Sequence, residues 1–398
     1  MATAMQPVAY AFRLCGLLGY ALAFLLAVVL AERGGLAVGV IAALAAAGAA
    51  VFLALAMATK IVSGRESLTY YHHQAAVLLA DAMVLWWMRE PLLPYLDLAV
   101  LGLGIFLACG RVGCLWAGCC HGVPFRHGVR YGREYLGTGF PAHLAEVRLF
   151  PVQAVESLWV AAIVGYGVLL VTAGAPAGSA LAEYLVLYPL GRFFLEFLRG
   201  GLDRPFFRGF SAAQWTSFAL ACGTVGAEAA GVLPRSAWHT LVPAAMLAAG
   251  AAVRLHPRLR MLHRLFAPSH LREFAEALGL AYRLAAPEVR HPPGERTIHL
   301  AATSMGIQVS CGELPGQESA WHFTVSRHGT PLTGAAVETV CGLLRQLARL
   351  PEPVQVVPGS PGTYHLLMRS PVDGQSPPSK GAQDATRTVL RGKTSNSG

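Results

Sequence analysis

Apolar runs long enough to cross a ~30 Å hydrocarbon core recur through the first 255 residues. Leu14 to Ala31 and Gly34 to Thr59 carry no charge, and the second is rich in the Ala and Gly that let helices pack closely. Ala75 to Met88 and Leu92 to Gly110 each hold one acid, Asp81 and Asp97, which are expected to pair between helices. Ser157 to Ala182 is uncharged, but Ala173-Gly174-Ala175-Pro176-Ala177-Gly178 divides it into two spans. Ser211 to Ala227 and Ser236 to Val253 add two more. The pattern predicts seven or eight transmembrane helices. The first run meets a second without a small-residue cleavage site between them, so it reads as an anchor rather than a cleaved signal peptide.

Two polar stretches interrupt or follow these runs. Arg111 to Phe150 is a long connection holding Arg126, Arg130, Arg133 and Arg148, and connections of that length tend to be functional. After Arg254 the composition changes, beginning with a basic cluster at Arg258, Arg260 and Arg264. Leu271 to Leu280 reads as a helix. Thr297 to Ala302, Ile307 to Cys311 and Trp321 to Ser326 read as strands. Ala335 to Leu350 reads as an amphipathic helix with Val337, Val340, Leu343, Leu344 and Leu347 on one face. The residues from about Ser370 are rich in Ser, Pro, Gly, Gln and Lys, a disordered composition. The fold expected is an all-α polytopic membrane core over residues 1–255, a small α+β soluble domain over 256–368, and a disordered tail over 369–398. No internal repeat is evident.

Composition sharpens this picture. Of 398 residues 54% are hydrophobic and only 13% charged, with a mean hydropathy of +0.48, against about 25% charged in soluble domains. The net charge of +9 comes without a Lys/Arg block of the kind that binds nucleic acid. An anionic membrane surface or lipid is the simpler partner. Four of the eight cysteines lie at 109, 114, 119 and 120, and the chain is no disulfide scaffold.

Charges at bilayer depth are costly, which makes those beside apolar runs functional candidates. Three groups qualify: Cys109-Gly110-Arg111-Val112-Gly113-Cys114, running on to Cys119-Cys120-His121-Gly122; Pro151-Val152-Gln153-Ala154-Val155-Glu156; and Gly191-Arg192-Phe193-Phe194-Leu195-Glu196-Phe197-Leu198-Arg199. Arg192 and Glu196 share a helical face, with Arg199 beside Glu196. Gln153 and Glu156 share another. The arrangement predicts a convergent pocket rather than snorkelling surface pairs. Arginine suits it because its planar fork binds phosphate through two hydrogen bonds at any working pH. The expected ligand is a phospholipid headgroup.

These motifs, in this order, resemble the prolipoprotein diacylglyceryl transferase family over roughly residues 10 to 235. Arg111 within Gly110-Arg-Val-Gly113 is similar to its Gly-Arg-x-Gly motif. Pro151, Gln153 and Glu156 match its Pro-x-Gln-x-x-Glu, and Arg192 with Glu196 its Arg-Phe-x-x-Glu-Phe-x-Arg. Ser211 to Trp215 looks like its short Gln-Trp element. The resemblance implies transfer of diacylglycerol from phosphatidylglycerol to the lipobox cysteine of a prolipoprotein signal peptide, with release of glycerol phosphate, at a bacterial plasma (inner) membrane. It implies catalytic roles for Arg111, Arg192 and Glu196, and a base near Tyr71, His72 or His73. Gln153, Glu156, Arg199, Gly110 and Gly113 would bind substrate. No cofactor or metal is expected. The chain departs from the family at Cys114, Ala117 and Cys119, where Asn or Glu is usual, and at Tyr71, in the family's His position. Those departures fit a cysteine-bearing branch and leave a second reading: a paralogue that binds anionic phospholipid or modifies another acceptor. A transporter is disfavoured by the lack of repeated halves.

For the cysteines, small packing residues beside glycine come first, a disulfide or redox role second, and metal third, since no Cys-x-x-Cys pair is present. Weighing basic residues against the family's work at the outer leaflet leads to an outward 111–150 loop and a cytoplasmic C-terminal domain.

Overall fold

The computed structural model describes residues 2–63, 70–201, 205–285, 300–313, 320–329, 332, 335–349, 355–359 and 362–369. The expected tail from Ser370 and the first residues of the expected 297–302 strand lie outside them. In chain order come α1 (Ala2–Arg33), α2 (Val38–Ser63), α3 (Tyr70–Met88) and α4 (Leu92–Ala117). The strands β1 (Pro124–Arg130) and β2 (Arg148–Leu149) precede α5 (Val152–Thr172) and α6 (Ser179–Leu195). A hairpin of β3 (Phe206–Phe207) and β4 (Phe210–Ser211) leads to α7 (Ala212–Ala229) and α8 (Leu241–Leu255). Then follow α9 (Pro257–Leu265), α10 (Pro268–Ala285), β5 (Ala301–Ala302), β6 (Ile307–Glu313), β7 (Ala320–Arg327), α11 (Ala335–Leu347), β8 (Gln355–Pro358) and β9 (Thr363–Arg369).

The chain divides into two compact units, Met1–Gly122 with Pro151–Ala252, and Val123–Phe150 with Val253–Gly398. Among the described residues of the first unit four helical stretches, Tyr10–Arg33, Val38–Val62, Leu92–Ala117 and Val152–Thr172, are long and apolar enough to cross a membrane. Leu17, Leu79 and Leu169 point outward on α1, α3 and α5, and Trp86 and Trp87 end α3 exposed, where indoles favour the headgroup layer. The sequence pattern predicts seven or eight spans; α6 and α8, at 17 and 15 residues, are short for that role.

Two joints set the course of α6. Asp97 of α4 accepts hydrogen bonds from the backbone N–H groups of Gly178 (2.6 Å) and Leu181 (2.7 Å). It therefore caps a neighbouring helix instead of pairing with Asp81 as expected, because helix-start amides lack partners of their own. At the other end, α7 opens with a reciprocal cap. Ser211 Oγ accepts from the Gln214 N–H (3.3 Å), and Gln214 Oε1 accepts from the Ser211 N–H (2.9 Å). The Gln214 amide also donates to the Phe193 carbonyl (3.3 Å), tying α7 to the end of α6.

The second unit is built on an antiparallel sheet of order β5-β6-β7-β9-β8. Ile307, Val309, Phe323, Val325 and Leu366 alternate along its strands and are buried. Leu271, Phe274, Leu278 and Ala281 of α10 join the same core, as do Val337, Val340, Leu343, Leu344 and Leu347 of α11. So do Val123, Tyr131, Phe140, Leu144, Val147 and Leu149 of the connection after α4. Arg349 donates twice to the Ala145 carbonyl (3.0 and 2.8 Å). This corrects two expectations. The 123–150 segment belongs with the C-terminal unit rather than the membrane core, and the two cannot lie on opposite sides of a bilayer, since one hydrophobic core joins them.

Candidate functional site

Glu156 sits one turn into α5, with Gln153 on the same helical face, and both are completely buried. Around Glu156 the first unit gathers three guanidinium groups. Arg111 Nε, from α4, lies 3.0 Å from Oε2. Arg199 donates to the same oxygen. Arg192 Nε lies 4.0 Å from Oε1, which also accepts from the Tyr188 hydroxyl at 3.2 Å. Glu196 supplies a second carboxylate, 2.8 Å from Arg192 Nη1 and 3.8 Å from Arg199 Nε. Among the described residues the cluster sets three guanidiniums beside two carboxylates, all of them buried. Buried ions are tolerated only when paired and hydrogen-bonded, and the two carboxylates supply that pairing.

Local structure explains the convergence. Tyr184, Tyr188, Arg192 and Glu196 recur every four residues and form one stripe along α6. The helix then tightens into a 3-10 turn over Glu196–Leu198, which returns Arg199 to the cluster. The Trp159 indole donates to the Leu187 carbonyl (3.0 Å), and Gly191 makes room for it: a Cβ there would collide with the ring. The turn after α4 is pinned from two sides. Gln153 Nε2 donates to the Cys119 carbonyl (2.7 Å), and the Gly200 N–H to the His121 carbonyl (2.9 Å). Gln153 Oε1 is buried without a hydrogen-bond partner among the described residues.

The other expected site residues divide. Tyr71 is buried, shares a 2.6 Å hydrogen bond with Ser217 of α7, and packs edge-on against Tyr188 at 5.6 Å. His72 is exposed, and His73 is buried with its ring 4.7 Å from Phe52 of α2. Gly113 faces α1 so closely that a Cβ would lie 3.1 Å from both Phe12 and Cys15 side-chain atoms, which accounts for it by helix packing. A side chain at Gly110 would meet open space. Tyr188 and Ser217 were not foreseen. The four-residue stripe on α6 carried the signal for Tyr188; nothing in the sequence singled out Ser217. The Cys114, Cys119 and Cys120 sulfurs lie within 4.8 Å of one another, with Cys114 buried and the other two exposed. Burial beside glycine therefore does not explain Cys119 and Cys120.

Apolar helices enclosing a buried arginine–glutamate cluster define a membrane protein. Sequence comparison gives that class its family: residues 9–229 match the prolipoprotein diacylglyceryl transferase family, and the chain belongs to it. The whole arginine cluster falls inside the match. Similar curated proteins include a phosphatidylglycerol–prolipoprotein diacylglyceryl transferase 2 of Clostridium perfringens, 37% identical over 109 residues, or 26% of this chain and 39% of that protein. A transferase of the same description from Clostridium tetani is 30% identical over 108 residues, 27% of this chain and 42% of its own length. One from Dehalococcoides mccartyi is 32% identical over 127 residues, 30% and 44% respectively. The chain thus spans about two fifths of these relatives, between 39% and 44% of their length.

Proposed function

We propose that the chain transfers diacylglycerol from phosphatidylglycerol to the thiol of a lipobox cysteine in prolipoproteins, releasing glycerol phosphate, at a bacterial plasma membrane that it crosses seven or eight times. The observation that carries this reading is the buried cluster of Arg111, Arg192 and Arg199 about Glu156, which lies inside the family match. In it, Arg111, Arg192 and Arg199 hold the lipid phosphate and stabilise the charge that grows on the departing glycerol phosphate. Glu156 and Glu196 fix the guanidinium planes. Gln153 Oε1, buried and without a donor, accepts from a hydroxyl of the glycerol headgroup. The base that takes the proton of the incoming thiol comes from Tyr71, which is hydrogen-bonded to Ser217, or from its neighbours His72 and His73.

The full chain in nanodiscs containing phosphatidylglycerol, incubated with a lipobox peptide, tests this. Mass spectrometry should find a diacylglyceryl addition on the cysteine that Arg192→Gln lowers by about two orders of magnitude, the scale of losing a charge-stabilising donor. Phosphatidylglycerol binding without transfer would replace this reading with that of a lipid-binding paralogue.

A further inference from the structure

Three thiols stand beside the arginine cluster, and the proposed transfer employs none of them. Cys114 lies in the last turn of α4, which ends at Gly118 with φ 70°. Cys120 follows with φ 53°, a left-handed conformation that costs an L residue about 1–2 kcal/mol. Gln153 and Gly200 hold the turn in that shape through the Cys119 and His121 carbonyls. The outcome is that residues five and six positions past Cys114 bring their sulfurs back to it, all three within 4.8 Å.

A zinc–thiolate bond of about 2.3 Å places sulfurs around one ion roughly 4 Å apart. The three sulfurs, within 4.8 Å of one another, lie close to that spacing. Thiolate ligands select zinc-like or softer cations over magnesium and calcium. Three protein ligands with one side exposed match the sites that keep a coordination position open; closed structural sites use four.

We propose that Cys114, Cys119 and Cys120 form a three-sulfur zinc site whose fourth position takes the acceptor thiol. On loading, three S–H protons pass to solvent and three zinc–sulfur bonds replace bound water. The role of the fourth position rests on the transferase reading. As its sulfur binds zinc, the acceptor gives up its proton, which leaves to solvent by way of the Tyr71–Ser217 pair of the transferase reading. That sulfur then forms the bond to the glycerol carbon, the carbon–oxygen bond to phosphate breaks with its electron pair on the phosphate oxygen, and the thioether leaves the metal.

The test uses the full chain, purified under anaerobic conditions and loaded with zinc or cobalt(II). Metal analysis should find about one zinc per chain, falling at least tenfold in Cys114→Ser/Cys119→Ser/Cys120→Ser. Cobalt should show intense sulfur-to-metal charge-transfer absorption, reduced but not abolished in Cys119→Ser, whose exposed side chain can change without disturbing the core. Zinc absent from the wild type, zinc kept by the triple variant, or a disulfide among the three cysteines would overturn the site. A cysteine-bearing lipobox peptide should shift the cobalt bands and its serine counterpart should not; equal effects would overturn the fourth-position role. A shift on peptide binding without diacylglyceryl transfer would uphold the site and count against the transferase reading alone.

Discussion

Glu156 is the residue on which the charges of the site converge. With no exposure and three guanidiniums and one phenol directed at it, it offsets repulsion that would otherwise separate α4, α5 and the end of α6. Glu156→Gln should therefore destabilise the membrane unit by about 3–5 kcal/mol, the usual result of removing one partner from buried ions. A lowered unfolding temperature in detergent, with loss of transfer, is the expected measurement; an unchanged one would mean the arginines are held by something else. Arg192→Lys keeps the charge but not the fork joining Glu156 and Glu196, so transfer should fall at least tenfold with little change in stability. Most of this cluster was legible in the sequence, because arginine and glutamate inside apolar runs demand partners. Ser217 was not, since a hydroxyl in a helix can satisfy itself on a backbone carbonyl, as Ser217 does on Ala213.

Helices were more readable than the contacts that end them. The amphipathic spacing of α11 announced which of its side chains are buried, whereas β8 and β9, which adjoin Pro- and Gly-rich segments, went unforeseen. The Asp97 cap on α6 could not be read at all, because the cap and the helix start are 81 residues apart. Asp97→Ala should leave the Gly178 and Leu181 amides without acceptors and cost about 1–3 kcal/mol, measured as faster hydrogen exchange at the start of α6. In the second unit, His270 ties α10 to the chain beside the sheet. Its ring bonds the Leu265 carbonyl (2.9 Å) and the Thr303 hydroxyl (3.1 Å), and burial holds its pKa below the ordinary histidine value. Unfolded, the ring takes a proton near pH 6.5; folded, it resists until lower pH. The stability His270 gives is thus present above about pH 6.5 and lost as pH falls below it. Hydrogen exchange in α10 should quicken between pH 7.5 and 5.5, and His270→Gln should flatten that response.

At the scale of the whole molecule, the decisive finding is which segments share a core. Basic residues alone would put the connection after α4 and the region after α8 on one side, and weighing them against the family's work at the outer leaflet leads to the expectation of opposite sides. Packing of Tyr131, Phe140 and Leu149 with Phe274, Phe323 and Leu344 joins them into one body. No bilayer can pass through a shared hydrophobic core. Four helices, α5 to α8, separate the two segments in the chain, and an even number of crossings among them returns it to the same side. Single cysteines placed beside Arg130 and Arg345, in a chain with its native cysteines replaced, should therefore react alike with an impermeant reagent on intact cells. Labelling of both would place this unit outside, where an exported acceptor arrives. Labelling of neither would place it inside, where Arg258, Arg260 and Arg264 favour it, and the proposed acceptor would have to be met before export. Labelling of one alone would separate what the core holds together, and would return the two segments to opposite faces.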